Sequence, residues 1–145
     1  TEEQARMIKE LSCFPPNGSR GLGLVRGNFW GEKSLLTRDP ILIPQIETKA
    51  GVDNLEKITN FNFDYYLIGP YDLSLSLNVP GKFDNEQFLC YINKVKEKVP
   101  ESRLAVHIPN DVKNQIHKYK GYGLKCLGMD TMALLDYHKE IIKNA

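Results

Sequence analysis

The chain of 145 residues has 19 Lys and Arg against 18 Asp and Glu, a formal net charge of +1, and 41% hydrophobic residues. This near balance argues against a nucleic-acid partner, because such affinity depends mostly on clustered Lys and Arg. No apolar run approaches the ~18 residues needed to span a bilayer, and no secretory signal is visible, so we expect no membrane partner. The length predicts one globular domain over residues 1–145.

The first residues predict a helix, because Thr1 and Gln4 have the spacing of a capping box and apolar residues recur on one face. Pro and Gly residues then predict an ordered loop over residues 15–31. A loop of this length in a compact domain is more often functional than idle. This one holds Arg20 and Arg26 among its glycines. A Gly-rich loop with Arg can cradle an anion, but this one has neither the lysine pattern of a Walker loop nor a preceding strand, so it is a weak nucleotide-binding motif.

Short apolar strands alternate with helices along the rest of the chain. The strands are predicted over residues 41–46, 64–68, 103–108 and 123–127. The helix after the second strand is predicted to begin at Asp84, with Gln87 in the reciprocal capping position, and the last helix at Thr131. Strict alternation predicts an α/β fold with a parallel sheet covered by helices, a pattern that doubly wound sheets and barrels both satisfy.

Ligands of such folds gather at the carboxyl ends of the strands. The residues there are Gln45 and Glu47, Tyr71 and Asp72, His107 and Asn110, and Met129 and Asp130. Glu47 and Asp72 follow neighbouring strands, and paired carboxylates suit a hard cation such as Mg²⁺ or Mn²⁺, which keeps waters and substrate as further ligands. The alternative is that each carboxylate caps the helix that follows it.

Two further features of the strand ends have alternative interpretations. The turn Gly69–Pro70–Tyr71–Asp72 could direct backbone N–H groups toward a carboxylate or phosphate, or be an ordinary βα turn. His107 is placed for acid or base chemistry, and a hydrogen-bonded structural role fits it equally.

The three cysteines have no CxxC spacing. This favours the reducing cytoplasm over a disulfide framework. Cys126 stands in an apolar strand and is expected in the core.

Segments of the chain resemble motifs of the HpcH/HpaI aldolases. Residues 15–23 resemble the loop PPxGxRGxG, residues 45–52 resemble QIETxxGV, residues 63–76 resemble (V/F)D…IGPxDLSxS, and residues 127–131 resemble the start of (L/V)GxDTxLL. The motifs stand in family order and extend over nearly the whole chain.

The resemblance implies strands five to eight of a (β/α)₈ barrel and a class II, metal-dependent aldolase. Such an enzyme cleaves 4-hydroxy-2-oxo acids to pyruvate and an aldehyde, or runs the reverse condensation. The resemblance makes Glu47 and Asp72 ligands of Mg²⁺, Mn²⁺ or Co²⁺, and Gln45 a catalytic residue that hydrogen-bonds near the keto acid. It makes the turn Gly69–Pro70–Tyr71–Asp72 the substrate-binding segment, in which the backbone of Tyr71 and Asp72 receives the pyruvate carboxylate. It also implies a homo-oligomer.

The acid/base histidine, the arginine and the aspartate of the family's early strands have no match here. Together with a start at Thr1 rather than Met, this leads us to expect that the N-terminal half of the barrel is absent and that the chain alone is inactive. One alternative is a non-catalytic half-barrel that binds a metal and a 2-oxo acid or associates with another chain. Another is a citrate-lyase-type enzyme acting on CoA thioesters, which the QIET motif disfavours.

Overall fold

The strands form one parallel sheet, in which they lie side by side in the same order as along the chain. The computed structural model describes residues 1–31, 39–109 and 111–144, so Asn110 lies outside the described residues. The strands are β1 Gln45–Ile46, β2 Tyr66–Ile68, β3 Leu104–Ile108 and β4 Leu124–Leu127, in the order β1-β2-β3-β4. All three pairings are parallel. The prediction of an α/β fold with a parallel sheet is confirmed.

Helices connect the strands. They are α1 Glu2–Ser12, α2 Lys49–Asp53, α3 Leu55–Thr59, α4 Pro70–Ser76, α5 Glu86–Lys98, α6 Val112–Gln115 and α7 Asp130–Asn144, with 3₁₀ turns at Arg26–Gly31, Glu101–Arg103 and Ile116–Tyr119. The predicted capping box of α1 is confirmed, since Thr1 Oγ1 accepts from Gln4 N–H and the Gln4 side chain accepts from the Thr1 backbone nitrogen. The last helix begins one residue before the predicted Thr131, whose N–H donates to Asp130 Oδ1.

The first strand is shorter than the predicted 41–46. Proline has no N–H for a sheet ladder, and Pro40 and Pro44 flank the missing part. Leu42 N–H donates instead to Asp64 Oδ2 at 2.8 Å, and Leu42 O accepts from Asp64 N–H at 3.2 Å. The segment before β1 is therefore held by Asp64 and, at its end, by the bond that Pro44 O accepts from Leu67 N–H of β2 at 3.0 Å.

The core lies between one face of the sheet and the helices. It comprises Ile46, Tyr66, Ile68, Leu104, Val106 and Ile108 from the strands and Val52, Leu55, Ile58, Phe88, Tyr91 and Val95 from the helices, with Phe63 fully buried beside them. Because successive side chains of a strand point to opposite faces, Gln45 and His107 lie on the other face, where both are exposed.

The C-terminal part of the chain is less buried than the sequence predicts. Cys126 is exposed, so its assignment to the core is wrong. The reason is that β4 ends the sheet and α7 buries none of its described residues, leaving Leu134 61% and Ile142 75% exposed. Within the described ranges, no helix combines the length and apolarity that crossing a membrane requires.

The N-cap of α5 is Asn85, one residue after the predicted Asp84. Asn85 Oδ1 accepts from Gln87 N–H at 2.9 Å and from Phe88 N–H at 3.4 Å. Replacing Asn85 by Ala removes both bonds and is expected to lower the free energy of unfolding by about 1 kcal/mol. Urea denaturation measures this loss.

Asp84→Ala is the matched control for the cap of α5. Asp84 supplies no side-chain bond to the first turn of α5, so this variant is expected to stay within about 0.5 kcal/mol of the parent. A larger loss for Asp84→Ala than for Asn85→Ala would show that the cap is placed wrongly.

Candidate metal and substrate site

The carboxyl ends of β1 and β2 meet at one edge of the sheet. Gln45 pairs with Leu67 and Ile46 with Ile68. The ladder continues one step further, because Gly69 N–H donates to Ile46 O at 3.1 Å. Glu47, the next residue after β1, is thereby brought beside Gly69, the next residue after β2.

Gly69 leaves space that two side chains occupy. A Cβ at position 69 would lie 2.7 Å from Glu47 Cβ, 2.9 Å from Glu47 Oε2 and 2.9 Å from Gln45 Nε2. Gln45 is exposed and Glu47 half-buried. The structure therefore brings the predicted residues Gln45, Glu47 and Gly69 together, with an amide and a carboxylate over a bare backbone position.

Asp72 stands in the first turn of α4, which begins directly after Gly69. Gly69 is the N-cap and Pro70 the first helical residue, and Leu73 N–H donates to Gly69 O at 3.0 Å. The N–H groups of Tyr71 and Asp72 belong to this first turn, whose donors have no partner within a helix. The carboxylate of Asp72 is exposed and is thus accessible to a ligand at the same edge of the sheet.

Neither carboxylate caps the following helix. Thr48 is the N-cap of α2, where its Oγ1 accepts from Gly51 N–H at 3.0 Å. The N-cap Gly69 of α4 has no side-chain capping bond. Neither Glu47 nor Asp72 is an N-cap residue, so the capping alternative is wrong for Glu47. Asp72 does lie in the first turn of α4, where its charge interacts favourably with the helix dipole, and this part of the alternative is confirmed.

A cleft of about 560 Å³ between α1 and β1 adjoins Gln45 and Glu47, whereas Asp72 is not among its lining residues. Gln45 and Glu47 line it together with Met7, Ile8 and Leu11 of α1. Small-molecule sites usually have volumes of about 300–1,000 Å³ and combine apolar walls with a few placed polar groups. The cleft has both properties.

The donor set fits a hard divalent cation. Carboxylate and amide oxygens are the ligands that Mg²⁺ and Mn²⁺ prefer, and the Glu47 carboxylate lies over Gly69. Over residues 1–31, 39–109 and 111–144, no group of three or more His, Cys, Asp and Glu side chains forms a metal site. A cation held by Glu47 and Asp72 would accordingly take its remaining ligands from water and substrate, as Mg²⁺ commonly does.

Lys49, which is close in sequence to Glu47, forms an ion pair with Asp53. Its Nζ lies 2.7 Å from Asp53 Oδ2. The side-chain hydrogen bond between them raises the pKa of Lys49 and lowers that of Asp53. Since both partners are about half exposed, the pair contributes little to stability, but it holds the ammonium group on α2.

The other predicted strand-end residues make local contacts. His107 Nε2 lies 3.0 Å from Gly128 O, which confirms the hydrogen bond of its structural interpretation. Asp130 accepts from Thr131 N–H at 2.7 Å. In the glycine loop, the Arg20 guanidinium lies 4.8 Å from the centre of the Phe14 ring.

Asp39 anchors the start of the glycine loop. Its carboxylate accepts from Asn17 Nδ2 and from Phe14 N–H, each at 2.8 Å. The bond from Asn17, which has the larger effect, and the bond from Phe14 both lower the pKa of Asp39. The start of the loop is thus tied to Asp39, a residue that stands between the loop and β1.

Sequence reasoning missed two hydroxyl groups that organise the site. Ser76 Oγ accepts from Lys49 N–H at 2.8 Å, and Thr48 caps α2. A threonine just before a helix is a recognisable cap signal. The bond of Ser76 joins residues 27 positions apart, and no local pattern predicts it.

Comparisons with known proteins find aldolases among the proteins similar to this chain. No family model matches the chain. A 2-keto-3-deoxy-L-rhamnonate aldolase of Shigella dysenteriae is 29% identical over 146 aligned positions, which cover 94% of this chain and 54% of the relative. The chain is therefore similar in sequence to curated aldolases. It spans about half the length of the curated relatives it matches and corresponds to their C-terminal half.

Solved structures share the fold of this chain. An HpcH/HpaI aldolase/citrate lyase family protein of Burkholderia cenocepacia superposes with a TM-score of 0.82 at 24% identity, covering 99% of this chain and 61% of that one. The HpcH/HpaI aldolase of Desulfitobacterium hafniense gives a TM-score of 0.79 at 21% identity, with coverage of 99% and 60%. The βα units therefore correspond to part of a larger fold, as expected for half of a barrel.

Proposed function

We propose that the chain carries the metal and 2-oxo-acid half of a divalent-metal-dependent aldolase site. The reaction would be cleavage of a 4-hydroxy-2-oxo acid to pyruvate and an aldehyde, or the reverse condensation. The observation that supports this most is the meeting of Gln45 and Glu47 over Gly69, directly before the α4 turn that presents Asp72. We further propose that residues 1–145 act as one partial barrel domain.

Glu47 and Asp72 would hold Mg²⁺, Mn²⁺ or Co²⁺, since oxygen ligands accept all three. When bound, such a cation supplies Lewis-acid stabilisation of the charge that develops on the keto oxygen as the carbon–carbon bond breaks. Gln45, whose Nε2 already lies over Gly69, would donate a hydrogen bond to an oxygen of the same acid. The backbone N–H groups of Tyr71 and Asp72 would receive its carboxylate.

Proton transfer to and from the aldehyde side needs groups that this proposal does not place on the chain. His107 lies on β3 and its side chain is hydrogen-bonded to Gly128 O. Strand β2 lies between β3 and β1, the strand that Glu47 follows. We therefore propose that the chain alone does not cleave the substrate and that residues of another polypeptide segment complete the site.

Association with another chain is the second candidate function. The observation that favours it is exposed apolar surface on α7, where Leu134, Leu135 and Ile142 are 61%, 46% and 75% exposed. Proteins rarely leave such patches uncovered. A homo-oligomer would bury this helix face. We also propose a cytoplasmic location, because Cys13, Cys90 and Cys126 are all free thiols.

The Glu47→Gln, Asp72→Asn double variant tests the metal assignment. It keeps the shape of both side chains but removes both negative charges. We expect the affinity for Mn²⁺ to fall at least about tenfold and the binding of pyruvate in the presence of Mn²⁺ to be lost. Isothermal titration of the chain with Mn²⁺, and then with pyruvate, measures both effects.

A matched control for the double variant removes the same charge elsewhere. Glu97 and Asp136 are exposed helical carboxylates, so the Glu97→Gln, Asp136→Asn variant is expected to bind Mn²⁺ like the parent. Unchanged Mn²⁺ affinity in the Glu47, Asp72 variant would overturn the metal assignment. Lyase activity on a CoA thioester but not on 4-hydroxy-2-oxo acids would overturn the substrate class.

A further inference from the structure

We propose that Ser76 is a positioning residue that fixes the Glu47 side of the metal site relative to the Asp72 side. The inference rests on the proposed function. Ser76 is the last residue of α4, whose first turn carries Asp72. Its Oγ accepts from the N–H of Lys49, two residues after Glu47.

The bond joins the two segments that carry the proposed ligands. Glu47 stands in the connection between β1 and α2, and Asp72 stands in α4 after β2. The Gly69 N–H to Ile46 O bond links these segments before the site. The Ser76 to Lys49 bond links them a second time beyond it, at 2.8 Å. With one link before Glu47 and one after it, the backbone that carries Glu47 is held close to the segment that carries Asp72.

The local structure around Glu47 depends on such a link. Helix α2 has 5 residues, too few to be stable by itself in water. The N–H of Lys49 is the first donor of α2 and has no acceptor within the helix. Ser76 satisfies it from α4, while Thr48 satisfies the N–H of Gly51. Removing the Ser76 hydroxyl frees the start of α2 and with it the backbone next to Glu47.

Ser74 provides a matched comparison on the same helix. It is fully buried, and its Oγ donates to Tyr71 O at 2.7 Å and accepts from Gly81 N–H at 2.9 Å. These bonds hold α4 to the turn that follows it. They do not reach the connection after β1. Loss of the Ser74 hydroxyl therefore destabilises the fold without releasing Glu47.

The test compares Ser76→Ala, Ser76→Thr and Ser74→Ala with the parent chain. Mn²⁺ affinity is measured by titration, stability by urea denaturation, and opening of the link by hydrogen exchange at the Lys49 amide. For Ser76→Ala we expect Mn²⁺ affinity about three- to tenfold weaker, the size of one neutral hydrogen bond, and faster exchange at Lys49. Ser76→Thr keeps a hydroxyl and is expected to restore both. Ser74→Ala is expected to lower the urea midpoint with Mn²⁺ affinity within about twofold of the parent.

The outcomes separate this inference from the proposed function. Parent-like Mn²⁺ affinity in Ser76→Ala overturns the positioning role and leaves the metal site standing. An equal loss of affinity in Ser74→Ala also overturns it, because the effect would then follow stability alone. A parent chain that binds no Mn²⁺ overturns the metal site, and the positioning role with it.

Discussion

Replacing Gly69 by Ala is expected to weaken Mn²⁺ binding at least about tenfold and to lower the free energy of unfolding by about 1–3 kcal/mol, the usual cost of overpacking. The added methyl group would lie 2.7 Å from Glu47 Cβ. This atom is fixed by the backbone and cannot rotate away, so the connection after β1 must move. The ends of Glu47 and Gln45, each 2.9 Å from the new atom, must turn aside as well. Titration with Mn²⁺ and urea denaturation measure the two effects.

Gly21→Ala is the control for Gly69→Ala. Among the residues that the structure describes, none beyond its immediate chain neighbours has an atom within 4 Å of a Cβ placed at Gly21, so we expect parent-like stability and Mn²⁺ affinity. If Gly69→Ala also keeps both quantities within about 0.5 kcal/mol and twofold of the parent, the close approach of Glu47 to Gly69 is not a feature of the protein in solution.

The sequence predicts the parallel sheet and the place of the candidate site because both depend on short-range signals. The alternation fits a doubly wound sheet and a barrel equally, so the strand order comes from the structure. Alternating apolar strands and amphipathic helices specify a parallel sheet, and the parallel sheet places Glu47 and the Gly69 turn at one edge. The register between β1 and β2 then brings Glu47 beside Gly69. Family motifs point to the same residues, whereas the distances of Gln45 and Glu47 from position 69 come only from the structure.

The features that escaped prediction depend on contacts between distant segments or on fine competition between neighbours. The Ser76 to Lys49 bond requires that α4 already lie against the start of α2. The choice of Asn85 over Asp84 as N-cap depends on where the preceding turn ends. The exposure of Cys126 depends on which elements pack against β4. An apolar strand pattern does not predict which elements those are.

Replacing Phe63 by Ala is expected to lower the free energy of unfolding by about 3–5 kcal/mol, the range for a fully buried aromatic residue. Phe63 is 0% exposed and packs edge-on to Tyr66, with ring centres 6.1 Å apart. Lys9 of α1 lies 6.0 Å from the Phe63 ring centre, so the ring also connects α1 to the core. Since a domain of this kind has only about 5–15 kcal/mol of stability, the variant is expected to unfold at much lower urea concentration.

Two further variants make the Phe63 result specific. Phe63→Leu keeps most of the volume and is expected to lose less than about 1.5 kcal/mol, whereas Tyr137→Ala removes a 61% exposed ring of α7 and is expected to change stability by less than about 0.5 kcal/mol. A loss below about 1 kcal/mol for Phe63→Ala would contradict its position in the core. If Phe63→Ala loses the most stability, Phe63→Leu less and Tyr137→Ala the least, Phe63 belongs to the core that holds β2. Because the Gly69 turn follows β2 directly, a loss of packing at Phe63 then affects the candidate site without changing any of its polar groups.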